Sequence, residues 1–148
     1  MSENERKKLK TGVKTGGGPS PGYEWNIDLI DLVVKEGRDV LGEIGYDHMS
    51  HQFRELARNE DPRRSDIVDV RSLGDGADKI YEIRDKGTVF GGANVRVLFG
   101  VHPRRRTIVP LASFKKQNNG PTPKPDLIKA RRRWRLYQTG EFGLPFPD

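Results

Sequence analysis

An α+β fold, a small antiparallel sheet packed by two N-terminal helices and one C-terminal helix, is predicted by three observations. Between Tyr81 and Phe114 apolar and polar residues alternate in short runs parted by turn-forming residues, the period-2 mark of half-buried strands. Ahead of them, apolar residues recur at helical spacing in two stretches. After them, a basic segment carries Leu127, Ala130, Trp134 and Tyr137 on one helical stripe. Helices and strands grouped along the chain, rather than strictly alternating, favour α+β over a doubly wound sheet. A length of 148 residues suits one domain with a modest core.

Residues 1–22 are Lys-rich and then Gly/Pro/Ser-rich, with too little apolar surface to offset the entropy of ordering; a disordered basic tail is expected there. The folded domain is expected over 23–140, with a loosely packed C-terminal tail over 141–148. Trp25, Ile27 and Leu29 alternate with Glu24, Asn26 and Asp28 as in a strand. Val33, Val34, Val40, Leu41 and Ile44 then fall at helical spacing, with Asp31 placed to cap. A second helix is expected from His48 to Asn59 through Met49, Phe53, Leu56 and Ala57, and Pro62 lies just past its end. From Ile67 to Asp78 the chain reads as an irregular acidic approach anchored by Leu73 and ending in a Gly-Asp-Gly turn.

In the first of the three runs Tyr81 and Ile83 face the core, which turns Glu82 and Arg84 the other way. After a glycine-rich hairpin turn at Gly87–Gly92, Val95, Val97 and Phe99 point inward and Arg96 and Leu98 outward. Arg84 and Arg96 therefore share the non-core face and become neighbours if the strands pair. Pro110 in the third run implies an edge position or a bulge, since it has no N–H for a ladder. A proline-rich loop leads to the final helix, which starts near Pro125-Asp126 and ends at Gly140.

There are no cysteines, so disulfides and thiolate metal sites are excluded. No apolar run approaches the roughly 18 residues of a membrane span, and a soluble, cytoplasmic protein is expected. The charge is unevenly spread. Residues 79–139 hold 15 Lys and Arg against 3 Asp and Glu, whereas 23–78 hold 7 against 14. Such a surplus within one compact domain attracts a phosphate polymer. The basic helix lacks the broad apolar face that a membrane surface would need. His48 and His51 are three apart, but no further ligand arrangement recommends a metal.

What remains is a set of cations: Arg84 and Arg96 on one sheet face, Lys115 and Lys116 ending the next strand. Fixed guanidinium and ammonium groups stabilise the charge that builds on phosphorus when a ribose 2′-hydroxyl attacks its own phosphodiester, with no cofactor needed. Arg is suited to this because its planar fork grips two phosphate oxygens. Glu82, on the same face as Arg84, is a candidate general base; an ion pair with Arg84 is the plainer expectation. His102, in the far turn, is read as a bystander. Arg104, Arg105 and Arg106, and Arg131, Arg132, Arg133 and Arg135, are expected to bind RNA through phosphates.

The run Tyr81-Glu82-Ile83-Arg84, then Val95-Arg96-Val97-Leu98-Phe99, then Ile108-Val109-Pro110-Leu111-Ala112-Ser113-Phe114-Lys115-Lys116, then Thr122-Pro123-Lys124 and Ala130-Arg131-Arg132-Arg133 resembles the RelE superfamily of toxins. Within it the likeness is to the HigB-like branch and its phage-derived relatives. It covers roughly residues 67–137 by motif and 23–59 by element order alone. The resemblance implies a RelE-like fold and a toxin of a two-component pair that cuts mRNA on the ribosome without metal. It also implies mRNA and ribosomal RNA as partners, and a cognate antitoxin of helix-turn-helix type. By the same resemblance Arg96 matches the arginine that meets the scissile phosphate, Arg84 a basic residue of the preceding strand, and Lys116 or Lys115 the cation after the last strand. Two departures stand out: a tyrosine of some members falls near Thr122, and Glu82 takes a position that is basic in some relatives. Two readings without RNA cleavage compete: a gyrase poison on the same fold, and a phage-derived regulatory or defence protein acting by binding.

Overall fold

The computed structural model describes residues 13–16, 22–73, 80–85, 87–91, 93–116 and 120–142. Strands β1 (Val13–Gly16) and β2 (Asn26–Ile30) precede a long helical segment, α1 (Asp31–Ala57). Then come β3 (Val70–Leu73), β4 (Ile80–Asp85), a 3-10 turn at Thr88–Phe90, β5 (Asn94–His102), β6 (Thr107–Lys116) and α2 (Lys124–Gln138). The six strands form one sheet in the order β1-β2-β6-β5-β4-β3.

The α+β architecture agrees with the sequence, and four details correct it. First, the sheet is mixed: β2 pairs parallel with β6 through Asn26–Thr107 and Ile27–Ile108, while the other pairs are antiparallel. The long excursion through α1 frees β2 from the hairpin geometry that forces sequential strands antiparallel. Second, the two expected N-terminal helices are one helical segment bent at Gly42, whose φ of 74° and ψ of 169° suit glycine alone. The bend lies upstream of the boundary expected near His48, and it shifts the phase of the helical turns beyond it. Ile44, assigned to the apolar face, is consequently 80% exposed. Gly45 continues the helix flat against the Phe90 ring, which a Cβ would meet at 2.6 Å. Third, Val70–Leu73 is a strand and not an irregular approach. Fourth, Val13–Gly16, four residues of the expected tail, pairs with β2. The Gly-Asp-Gly turn, the rest of the tail before Gly22 and residues 143–148 lie outside the described residues.

Pro110 sits in a central strand, and the ladder there shifts register between Leu98 and Phe99, the bulge alternative. That irregularity accommodates a residue with no N–H to give.

Both faces of the sheet are packed. Under α1, whose Met49, Phe53 and Leu56 are buried, lie Trp25, Ile27, Val95, Val97, Phe99 and Val101. On the opposite face α2 covers Ile80, Leu98, Val109, Leu111 and Ala112 with Ala130, Trp134 and Tyr137. Trp134 lies so close to Gly100 that a Cβ there would fall 2.5 Å from the ring. Its ring stacks on Tyr137, whose hydroxyl donates to the buried Asp28 carboxylate. Among the described residues no helix is long and apolar enough to cross a membrane.

Candidate functional site

Side-chain parity and strand register assemble the site. In β4–β5 Arg84 pairs with Arg96, and Glu82 with Leu98; Arg96 then pairs with Phe114 in β6, two residues from Lys116. Alternation puts Glu82, Arg84, Arg96 and Lys116 on the face that α2 packs, at the end of the sheet where α2 begins. That face is the reverse of the α1 core, as expected, but it is not open. Every side chain from Asn94 to Val101 is buried because helices cover both sides of β5.

Glu82 is the hub. It is wholly buried, and its Oε1 accepts from Arg84 Nε at 2.5 Å and lies 4.0 Å from Arg96 Nη1. Its Oε2 accepts from the Thr122 hydroxyl at 2.6 Å. Arg96 is also wholly buried, and none of its three guanidinium nitrogens has a hydrogen-bond acceptor among the described residues. Burial holds its pKa below the usual arginine value, with Arg84 and Arg71 acting the same way and Glu82 opposing. Lys116 is partly exposed and donates to the Pro121 carbonyl at 2.5 Å. Desolvation, then the neighbouring Arg96 and Arg84, hold its ammonium below the ordinary lysine range. The ion pair expected between Glu82 and Arg84 is therefore present, and Arg96 faces the same carboxylate.

Lys115 leaves the cluster. It pairs with Val95, whose side chain lies in the α1 core, so it projects to the other face and is exposed. One residue joins the cluster that the sequence did not point to: Arg71 of β3, paired in register with Glu82, its Nε 3.3 Å from Asp69 Oδ1. The alternation Val68-Asp69-Val70-Arg71 was the available signal, masked by the surrounding acidic residues. Thr122, noted only as a departure, closes the site through Glu82.

The other basic groups lie elsewhere. The β5–β6 turn is at the opposite end of the hairpin, about 26 Å from Asn94 at the strand rise of β5. There Arg104 is exposed, Arg105 donates its N–H to His102 Nδ1, and Arg106 (φ 46°) is bound to Glu24 and stacked on Trp25. Arg106 is thus largely spent on holding the turn. Within α2, Arg133 is buried, forked onto Glu36 at 2.8 and 3.0 Å and donating to the Leu111 carbonyl. Its expected role on RNA gives way to joining α2 to α1, because its helix position faces inward beside Trp134. Arg132 and Arg135 are exposed, and Arg131 is partly buried.

His48 bonds Asp85 at 2.8 Å with Gln52 beside them, and His51 lies 3.5 Å from Asp47. Among the described residues no group of three or more His, Cys, Asp or Glu could hold a metal ion.

A family model described as phage-derived protein Gp49-like (DUF891) matches residues 41–135, a span that includes Glu82, Arg84, Arg96, Lys116 and Thr122. No curated protein and no solved structure matches the chain.

Proposed function

The chain belongs to the phage-derived Gp49-like family, and on that premise we propose that it is the toxin of a toxin–antitoxin pair. In this reading it is a HigB-like, ribosome-dependent endoribonuclease that halts translation by cutting mRNA. The observation that carries the proposal is the convergence of Arg84, Arg96 and Lys116 on one end of one sheet face. Cations fixed by a rigid sheet can stabilise a five-coordinate phosphorus without reorganising during reaction. The 2′-hydroxyl loses its proton and attacks phosphorus, the bond to the 5′ oxygen breaks, and a 2′,3′-cyclic phosphate and a 5′-hydroxyl result. Lys116 is the candidate to protonate the leaving oxygen: it is partly exposed, and its lowered pKa makes it a stronger acid than an ordinary lysine. Glu82, with both oxygens taken by Arg84 and Thr122, is not offered to a 2′-hydroxyl in this arrangement.

The complete burial of Arg96 withdraws one cation from an incoming scissile phosphate. It favours a second reading, in which the chain acts by binding, as a gyrase-poison-like toxin or a phage-derived regulatory or defence protein. Primer extension on cellular mRNA after induction separates the two. The nuclease gives new ends inside translated codons, and Lys116→Ala weakens them by about a hundredfold. Absence of such ends in the wild type leaves only the binding reading.

A further inference from the structure

Glu82 sits at the centre of a cation cluster that holds more positive charge than one carboxylate neutralises. Arg71, Arg84, Arg96 and Lys116 all act on this site, against one carboxylate at its centre. A carboxylate has two oxygens, and both are used: one by Arg84 and one by Thr122. Arg96 stands 4.0 Å from the nearer of these oxygens, too far for a hydrogen bond, and its three buried nitrogens find no acceptor among the described residues. A buried guanidinium with no hydrogen-bond acceptor is costly. It is expected where a site is organised for a ligand whose oxygens reach positions that those of the residue now in place do not. A phosphate, tetrahedral and bearing several charged oxygens, is such a ligand, and Arg matches its geometry.

We propose that Glu82 is a built-in competitor for the phosphate subsite, clasped there by Thr122, and that phosphate enters by displacing it. This rests on reading the cluster as a phosphate site. An attached carboxylate competes at a high effective concentration, so a single free phosphodiester is held weakly. RNA presented in place at high local concentration displaces it. Glu82 is then a specificity-determining residue that discriminates against dilute RNA, and Thr122 positions it.

The test measures binding of two probes to the full chain at fixed ionic strength: inorganic phosphate, and a short single-stranded RNA methylated at every 2′ oxygen so that it cannot be cut. Glu82→Gln keeps the shape and one acceptor oxygen, which can serve Arg84, turns its NH2 to the Thr122 hydroxyl as a donor, and removes the charge. It is expected to bind both probes on the order of tenfold tighter than the wild type, the scale of one hydrogen bond to a charged group. Thr122→Ala, which loosens the clasp, is expected to gain roughly threefold. Adding Arg96→Gln to Glu82→Gln should abolish the gain. A folded Glu82→Gln protein that binds no tighter makes Glu82 a plain counter-ion and overturns the proposal. If Glu82→Gln does not fold, Thr122→Ala decides, and unchanged affinity overturns it equally. Tighter binding with no mRNA cleavage by any variant would sink the nuclease reading and leave this one standing. Cleavage by the wild type with unchanged variant affinities would do the reverse.

Discussion

Arg133 and Arg96 are both arginines buried beside a carboxylate, and they differ in whether that carboxylate lies within hydrogen-bond reach. Glu36 gives both oxygens to Arg133, and its remaining bonds come from the Ser113 N–H and Lys129. Burial acts to raise the Glu36 carboxyl, but Arg133, the Ser113 N–H and Lys129 together outweigh it and the pKa falls below 4.5. A carboxyl with a depressed folded pKa adds stability above its unfolded value and loses it as pH falls through the folded one. Glu36→Gln should therefore cost about 2 kcal/mol at neutral pH. The gap in Tm between it and the wild type should close as pH drops below 4.5. A gap that stays constant down to acid conditions would show that Glu36 is not ionised in the fold. Glu82 belongs to the other kind of pair: it bonds Arg84 and Thr122, and Arg96 is held 4.0 Å away without a hydrogen bond. That difference is why Arg133 reads as structure and Arg96 as site. Neither distinction is visible in the chain, where one lies in a basic run and the other in an apolar strand.

At the scale of elements, glycines decide two junctions for different reasons. Gly42 bends α1 at a backbone angle only glycine adopts readily, and nothing lies within 4 Å of a Cβ built there. Gly100 has an ordinary strand backbone but faces the Trp134 ring. Gly42→Ala should thus cost about 1–3 kcal/mol through strain alone, and Gly100→Ala a similar amount through overpacking. Pairing each with a trimmed neighbour separates them in a thermal melt. Trp134→Leu is expected to restore much of the loss in Gly100→Ala, and no neighbouring substitution to restore Gly42→Ala. Rescue of neither, or of both, would refute the distinction. The bulge opposite Pro110 has a consequence at the same scale. Without it, the parity of β6 beyond Ala112 would be that of an unbroken ladder, and the choice between Lys115 and Lys116 depends on which register holds.

Taken whole, the molecule separates charge across its sheet. Helix α1 carries six acidic residues against three Lys and Arg, and α2 carries six Lys and Arg against one Asp. Helix α1 packs mainly on the face opposite α2, although Val33 joins the α2-side core and Glu36 bonds Arg133 and Lys129. A polyanion therefore meets a more repelling side and an attracting side. The α2 side joins the cluster near Lys116 to the β5–β6 turn, with Arg132 and Arg135 exposed between them at a spacing of three. RNA binding should consequently weaken steeply with salt. Arg132→Ala and Arg135→Ala should each reduce the log–log salt slope by about 1, while Lys35→Ala on α1 leaves it unchanged. Equal effects from both faces would contradict the polarity.

The sequence alone was enough for whatever depends on the local period of the backbone. Alternation in a strand placed Glu82, Arg84 and Arg96 on one face, helical spacing marked the buried stripe of α2, and a count of charges identified the basic half of the chain. Tertiary structure decided the rest. It set the pairing of Arg84 with Arg96, removed Lys115, brought in Arg71, drew Arg133 inside, and laid α2 over the face that parity had left open. The reason is physical. Which way a side chain points is fixed by its own few dihedrals, but whether that direction leads to solvent, a carboxylate or another helix is settled by residues tens of positions away.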